Sequence, residues 1–234
     1  MLRALLFDVD GTLVDSVDLH AQAWKEAFAR YGKMLPFGRI RSQIGKGGDQ
    51  LIPYFLDQGE QEQWAEELHA FRKKLFKEDY LSRVKPFPKV RELFERIRSD
   101  GRQIILASSS PEAEVKHYLR LLQVDDVVSG YTTADDVDRS KPHPDIFEAA
   151  LERAGVESAS EALVVGDSPF DVEAASHLAL PTIGVRCGGF PDEELRRAGC
   201  IALYDSPADL LANYDESPLA KDTGNALEQM APPP

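Results

Sequence analysis

The stretch Leu2-Arg3-Ala4-Leu5-Leu6-Phe7-Asp8-Val9-Asp10-Gly11-Thr12-Leu13-Val14-Asp15 opens the chain with an apolar strand that runs directly into two carboxylates. Acids at the C-terminal end of a buried strand are costly to desolvate without a cation. Asp8 and Asp10, two residues apart, therefore point to metal binding or acid/base chemistry. Gly11 then turns the chain, and Gly11 and Thr12 offer backbone N–H groups and a hydroxyl suited to phosphate oxygens. A polar Asp-Gly turn after a strand accounts for Gly11 and one acid, but leaves the second acid and the threonine unexplained. A calcium loop of the EF-hand type does not fit, since its glycine belongs at the sixth position and Gly11 is the fourth counting from Asp8.

Beyond this strand the period changes. Ser16 is the expected N-cap of a helix in which His20, Ala23, Trp24, Ala27, Phe28 and Tyr31 recur at helical spacing until Gly32. Pro36 opens a second short helix, Gly45-Lys46-Gly47-Gly48 breaks it, and Asp49 begins a third that runs to Leu56. A long charged helix follows from about Glu60 to Arg83, with Trp64, Leu68, Phe71 and Leu75 on one face. Residues 15–85 are thus expected to be all-helical, without a strand. Val84-Lys85-Pro86-Phe87-Pro88 leads into a different pattern in which helices and short apolar strands alternate. Helices are expected at 88–100, from Ser110-Pro111 (proline in the first helical position) to Gln123, and at 143–154, 169–178 and 192–198. Strands are expected at 103–107, 127–129, 162–165, 181–185 and 200–203. Such alternation gives a parallel sheet covered by helices on both faces. The expected architecture is α/β, a doubly wound parallel core over 1–14 and 86–214. A helical cap is inserted at 15–85, and the 215–234 tail lies loosely on the surface.

Composition narrows the function classes. A formal charge of −13 and a pI near 4.8 argue against a nucleic-acid surface, which needs a basic stripe. They do not argue against a small anionic ligand, because local lysines and metal ions set the field in a cleft. Cys187 and Cys200 form no close pair, which suits a reduced, cytoplasmic setting and no disulfide framework. No apolar run approaches the roughly 18 residues that span a bilayer. The short N-terminal run meets Asp8 at once, so no signal peptide is expected.

In a doubly wound sheet, ligands sit outside the carboxyl ends of the strands, where the strand order reverses. The remaining polar motifs fall at such positions: Ser108-Ser109-Ser110, Ser140-Lys141-Pro142-His143-Pro144, and Gly166-Asp167-Ser168 with Asp171 one helical turn on. Taken singly, they are an N-cap cluster, a loop lysine and a strand-exit turn. In this order, behind Asp8-Val9-Asp10-Gly11-Thr12, they are not a chance set. The chain here resembles the haloacid dehalogenase superfamily of phosphatases over residues 1–213, the inserted helical cap included.

The resemblance implies a role for each residue. Asp8 matches the nucleophile and Asp10 the general acid/base. Ser108, with Ser109 and Thr12 beside it, matches the phosphate-holding group, and Lys141 the lysine of the third motif. Asp167 matches the metal-binding acid, with Ser168 and Asp171 in support. Mg²⁺ would be held by Asp8, the Asp10 backbone carbonyl and Asp167, and hydrolysis would pass through an aspartyl phosphate on Asp8. An acid at position 10 also separates the chain from the dehalogenases that name the superfamily.

Weaker signals lie in the cap. Gly45-Lys46-Gly47-Gly48 is no P-loop, since a glycine follows the lysine where Ser or Thr belongs. The resemblance puts a substrate-covering loop here, which makes Lys46 a candidate substrate contact. An exposed lysine in a turn is the alternative. His20 is a second candidate near the substrate, against a structural histidine. Trp24 and Trp64 are expected in the cap core.

The function expected is a Mg²⁺-dependent phosphatase acting on a small phosphorylated metabolite, like phosphoglycolate phosphatase. A phosphosugar mutase like β-phosphoglucomutase, and a phospho-ligand sensor without turnover, are the alternatives. The mutase is disfavoured because the cap loop carries one cation and an added acid, Asp49, and because Pro111-Glu112 follows the serines. A monomer or weak dimer is expected, with no nucleic-acid or membrane partner.

Overall fold

In a computed structural model, which describes residues 1–220, the opening strand is β1 (Ala4–Phe7), followed by the two-residue β2 (Val14–Asp15). Helices α1 (Val17–Arg30), α2 (Phe37–Arg41), α3 (Gly48–Phe55) and α4 (Gln58–Leu75) form the inserted block. The chain returns through β3 (Lys85–Pro86) into α5 (Val90–Ser99), β4 (Gln103–Ala107), α6 (Glu112–Leu122) and β5 (Gly130–Thr132). It then continues through α7 (Asp145–Ala154), β6 (Ala162–Gly166), α8 (Pro169–Ser176), β7 (Thr182–Val185), α9 (Asp192–Ala198), β8 (Ala202–Tyr204) and α10 (Pro207–Ala212).

Six strands form one parallel sheet in the order β5-β4-β1-β6-β7-β8. The period of two along β1 explains why it is apolar throughout. Leu5 and Phe7 face one side with Leu93 and Phe94 of α5 and Val115 and Tyr118 of α6. Ala4 and Leu6 face the other with Ile146 and Phe147 of α7 and Ala174 and Ala175 of α8. Leu5, Leu6 and Phe7 have no exposed surface, and burial of each side chain stabilises the fold by about 1.5–3 kcal/mol. From β1 the chain fills one side of the sheet through β4 and β5, then crosses to β6 on the other side of β1. The order therefore reverses between β1 and β6, and a crevice opens at their carboxyl ends.

The cap has its own apolar centre, in which Trp24 and Phe28 of α1 pack with Ile40, Leu51 and Leu68. Trp24 is buried there and Trp64 is half-buried against Tyr31.

Several sequence expectations need correction. Residues 15–85 are not strand-free: β2 and β3 pair antiparallel, Val14 with Pro86 and Asp15 with Lys85, and tie entry to exit. Two residues per strand are too few for a periodic signal. The long helix is regular only to Leu75. A wider turn over Phe76–Tyr80 follows and sets Phe76 and Tyr80 into the main core. The strand expected at 127–129 lies at Gly130–Thr132, because Val127 and Val128 close a turn on Val124 with their N–H groups. The last strand begins at Ala202 rather than residue 200. Pro111 is the extended N-cap of α6, one residue before its helical position. Ser16 stands at the N-cap of α1, but its hydroxyl is drawn to Asp10 instead of the helix. Leu219, expected in a loose tail, has no exposed surface and belongs to the main core. The rest of that tail, 221–234, lies outside the described residues. Among the described residues no helix is long and apolar enough to cross a membrane.

Candidate active site

Asp8 is the first residue beyond β1, and its backbone N–H still donates to Val165 O of β6 at 2.9 Å, so the sheet fixes where it stands. A tight turn follows, in which the Leu13 and Val14 N–H groups both donate to Val9 O. Asp167 leaves β6 on the adjacent strand. Asp171 lies in the first turn of α8, where Ser168 and Asp171 cap one another reciprocally. The loop before α7 delivers Lys141, which has no exposed surface although it carries a full charge. Its Nζ lies 2.5 Å from Asp8 Oδ1 and 2.8 Å from Asp171 Oδ1, and donates to Ala107 O at 3.0 Å. Thr12 Oγ1 is 3.0 Å from Asp8 Oδ2 and 3.2 Å from Asp167 Oδ1, and its single proton serves one of them at a time.

Three buried carboxylates, Asp8, Asp167 and Asp171, thus approach within 4.8 Å of one another around one ammonium. Burial, together with the charges of Asp171 and Asp10, pushes Asp8 up to about 7 against the pull of Lys141. Burial and the neighbouring Asp8 and Asp171 push Asp167 well above the usual carboxylate range. The cluster is therefore short of positive charge. Gly188 keeps the flank of Asp167 open, since a Cβ there would lie 1.7 Å from Asp167 Oδ2. Hard carboxylate oxygens, an excess of negative charge and this close glycine together fit a small divalent cation such as Mg²⁺ at Asp8 and Asp167.

Asp10 points into the neighbouring cleft and is surrounded by donors. Ser16 Oγ donates to Oδ1 at 2.6 Å, Ser110 Oγ donates to Oδ2 at 2.9 Å, and His20 Nε2 lies 2.9 Å from Oδ1. Arg72 Nη2 contacts His20 Nδ1. Because a guanidinium only donates, Nδ1 must accept, so Nε2 carries the proton and donates to Asp10. Burial works against ionisation of Asp10, but His20, Ser16 and Ser110 outweigh it and hold the carboxyl below the usual range. Ser108 is fully buried and its Oγ accepts the Ser110 N–H, whereas the Ser109 hydroxyl is buried without a protein partner beside the cleft.

The cleft is a cavity of about 470 Å³ between the strand ends and the cap. Its cap wall carries Lys46 and Asp49 from the glycine-rich loop and α3, and His69, Arg72 and Lys73 from α4. Lys46 Nζ donates to Gln43 Oε1 at 2.7 Å and lies over the rings of Tyr54 and Phe170, at 4.9 and 4.7 Å from their centroids. Half-burial lowers its pKa.

Comparison with known proteins matches residues 5–185 to the haloacid dehalogenase-like hydrolase family. The chain belongs to that family. It is 34% identical over 194 residues to a phosphoglycolate phosphatase of Yersinia pestis, covering 80% of this chain and 82% of that one. It is 29% identical over 215 residues to a phosphorylated carbohydrates phosphatase of Thermotoga maritima, covering 90% and 97%. Its fold matches the crystal structure of a hydrolase from Pseudomonas syringae with a TM-score of 0.80 and 32% identity, over 92% and 98% of the two chains. Family and relatives together make this chain a phosphoric monoester hydrolase.

In this haloacid dehalogenase-like hydrolase, Asp8, Thr12, Lys141, Asp167 and Asp171 all meet within one buried cluster. Ser108 and Ser109 stand at the next strand end, and His20 and Lys46 both line the cleft. His20 touches Asp10 directly. Sequence reasoning missed Ser16 and Ser110 on Asp10, and Arg72 behind His20. The serines were visible as a helix-start residue and as the third of a serine run. Arg72 had no signal, since an arginine in a charged helix reads as solvent-facing, yet it is 8% exposed between the rings of Trp24 and Phe76. The cap-loop argument also needs correction. Arg72 and Lys73 add cations to the cap wall that the loop alone did not reveal, and both Asp49 carboxylate oxygens are bonded to Ser140.

Proposed function

We propose that this chain is a Mg²⁺-dependent phosphatase that hydrolyses a small phosphomonoester through an aspartyl phosphate on Asp8. The observation that carries the reading is the buried cluster of Asp8, Asp167 and Asp171 around Lys141, with Asp10 beside it at the floor of a metabolite-sized cavity. Mg²⁺, when bound at Asp8 and Asp167, would offset the repulsion between a carboxylate and an arriving phosphate.

The residues of the chain do the rest. An Asp8 oxygen attacks phosphorus, the bond from phosphorus to the ester oxygen breaks, and that oxygen takes a proton from Asp10. Water then attacks the phosphorus of the acyl phosphate and gives its proton to Asp10, which releases inorganic phosphate and restores the Asp8 carboxylate. The donors around Asp10 favour its ionised form, the state needed for the second half. An anionic substrate arriving beside it favours the protonated form needed for the first. Lys141, Ser108 and the backbone N–H groups after β4 supply positive charge for the phosphoryl oxygens.

The named relatives act on phosphoglycolate or phosphorylated carbohydrates, and the mixed acidic and basic cap wall suits a hydroxylated metabolite of that size. A panel of phosphoglycolate and sugar phosphates with Mg²⁺ tests this, with phosphate release expected from at least one. Asp8→Asn is expected to reduce turnover to background, and Ca²⁺, which takes more ligands, to suppress the rate. Substantial turnover by purified Asp8→Asn would sink the covalent mechanism. The Arg72 and Lys73 cations keep a phosphosugar mutase as the second reading. Glucose 6-phosphate forming from β-glucose 1-phosphate and a trace of 1,6-bisphosphate, faster than free phosphate, would decide for it.

A further inference from the structure

The cap touches the core at a second point, where the start of α3 meets the residue before Lys141. The Ser140 backbone N–H donates to Asp49 Oδ2 at 3.0 Å and its hydroxyl donates to Asp49 Oδ1 at 2.5 Å. The same hydroxyl oxygen accepts the Gly47 N–H at 2.9 Å. Ser140 is 6% exposed and its bond to the Gly47 N–H is buried, while Asp49 reaches it from the exposed start of α3. A Cβ on Gly47 would lie 2.4 Å from Ser140 Oγ, so the approach demands glycine there. The glycine-rich loop, expected from the sequence to cover the substrate, is shaped to this contact as well.

Ser140 is covalently joined to Lys141, whose ammonium reaches Asp8 and Asp171 in the buried cluster. We propose that Asp49 is a positioning residue: by clamping Ser140 it registers the cap against the core and holds the backbone that delivers Lys141 to Asp8. The proposal rests on the phosphatase reading and extends it. The cap cannot swing away without breaking all three bonds, so its closure and the register of the lysine are coupled. The carboxylate is also committed to the serine and does not stand free against an anionic substrate.

The test uses p-nitrophenyl phosphate with Mg²⁺, and amide hydrogen exchange on the same proteins. Asp49→Ala and Ser140→Ala are each expected to lower kcat about tenfold or more, the effect of losing charge-assisted hydrogen bonds, with melting temperatures checked alongside. The double variant should lose less than the sum of the two single losses, because the bond between the Ser140 hydroxyl and Asp49 Oδ1 is broken in both. Asp49→Asn should recover most of the rate, since its amide oxygen still accepts the Ser140 N–H and its nitrogen donates to Oγ. The Gly47 amide should exchange faster in Asp49→Ala, although its own acceptor on Ser140 is untouched. Additive losses, wild-type kcat in Ser140→Ala, or an Asp49→Asn variant as slow as Asp49→Ala would each overturn the proposal. If the wild type releases no phosphate from any monoester, the phosphatase reading fails. Exchange then judges the clamp alone, and unchanged Gly47 protection in Asp49→Ala rejects it.

Discussion

Lys141 lies buried behind the cleft against Asp8, whereas Lys46 lines the cleft from the cap. Lys141, on the core side, is fully buried and held by two carboxylates and a strand-end carbonyl. Lys46, on the cap side, is half-buried and held by a neutral amide and two ring faces. A buried ammonium among three buried acids has few alternative positions, since each unpaired charge is costly there. A lysine over aromatic rings is held weakly and can follow a ligand. The core side therefore fixes its charged groups, while the cap side leaves a cation able to follow a ligand, the arrangement the proposed phosphatase needs for chemistry and for selection of the substrate.

The largest expected effect tests that contrast. Lys141→Met leaves Asp8 and Asp171 without their cation and is expected to lower stability by about 3–5 kcal/mol, as well as abolishing turnover. Urea unfolding measures the first, and phosphate release the second. On the proposed Mg²⁺ dependence, the ion binds the folded cluster and not the unfolded chain, so millimolar Mg²⁺ should restore part of the lost stability. A variant as stable as the wild type without metal would show that the acids do not depend on the lysine.

The two sides also differ in how far the sequence disclosed them. Asp8 and Asp167 follow apolar strands without a gap, with Asp10 two residues on from Asp8, and a strand end has one position relative to its neighbours in the sheet. Local order in the chain therefore becomes order in space. The parallel sheet and its crevice were legible for the same reason, through continuous apolar strands between helical periods. The cap wall has no such rule. Whether Arg72, Lys73 or His69 faces solvent or cleft depends on how α4 rolls against α1 and the core, and each looks like ordinary helix charge. Ser140 and Asp49 each stand out in the sequence, but their bond does not, because it joins positions 91 residues apart across two separately packed apolar centres. The β2–β3 pair and the turn at Phe76–Tyr80 were missed because each is shorter than the period that would reveal it.

A smaller effect is expected on the cap side. Lys46→Met should cost well under 1 kcal/mol of stability, in keeping with a few weak ring contacts. Turnover number should change little, while KM for the preferred substrate rises several-fold. Steady-state kinetics on the same substrate as for Lys141→Met make the comparison direct. A kcat that collapses with KM unchanged would move Lys46 from substrate selection into the chemistry and blur the division of labour.

The last effect shows only below neutral pH: it concerns acid stability and belongs to the cap alone. His69 is half-buried on α4, stacked on Trp24 at 5.9 Å between ring centroids. Burial, and then the charges of Lys73 and Arg72, lower its pKa from 6.5 to about 4, with Asp49 opposing. The unfolded chain therefore takes up a proton on this histidine below about pH 6.5 that the folded cap refuses until about pH 4. Protons favour whichever state binds them, so the contribution is fully present above pH 6.5 and is lost as pH falls towards 4. His69→Gln keeps a polar planar side chain on Trp24 but cannot take the proton. Urea midpoints of wild type and variant should differ by a constant amount above pH 7. Between pH 6.5 and 4.5 the wild type should lose stability more steeply, so that the two curves converge or cross. Parallel curves throughout that window would mean that His69 is protonated as readily in the folded cap as in the unfolded chain, and that the cap wall is wetter than its packing against Trp24 implies.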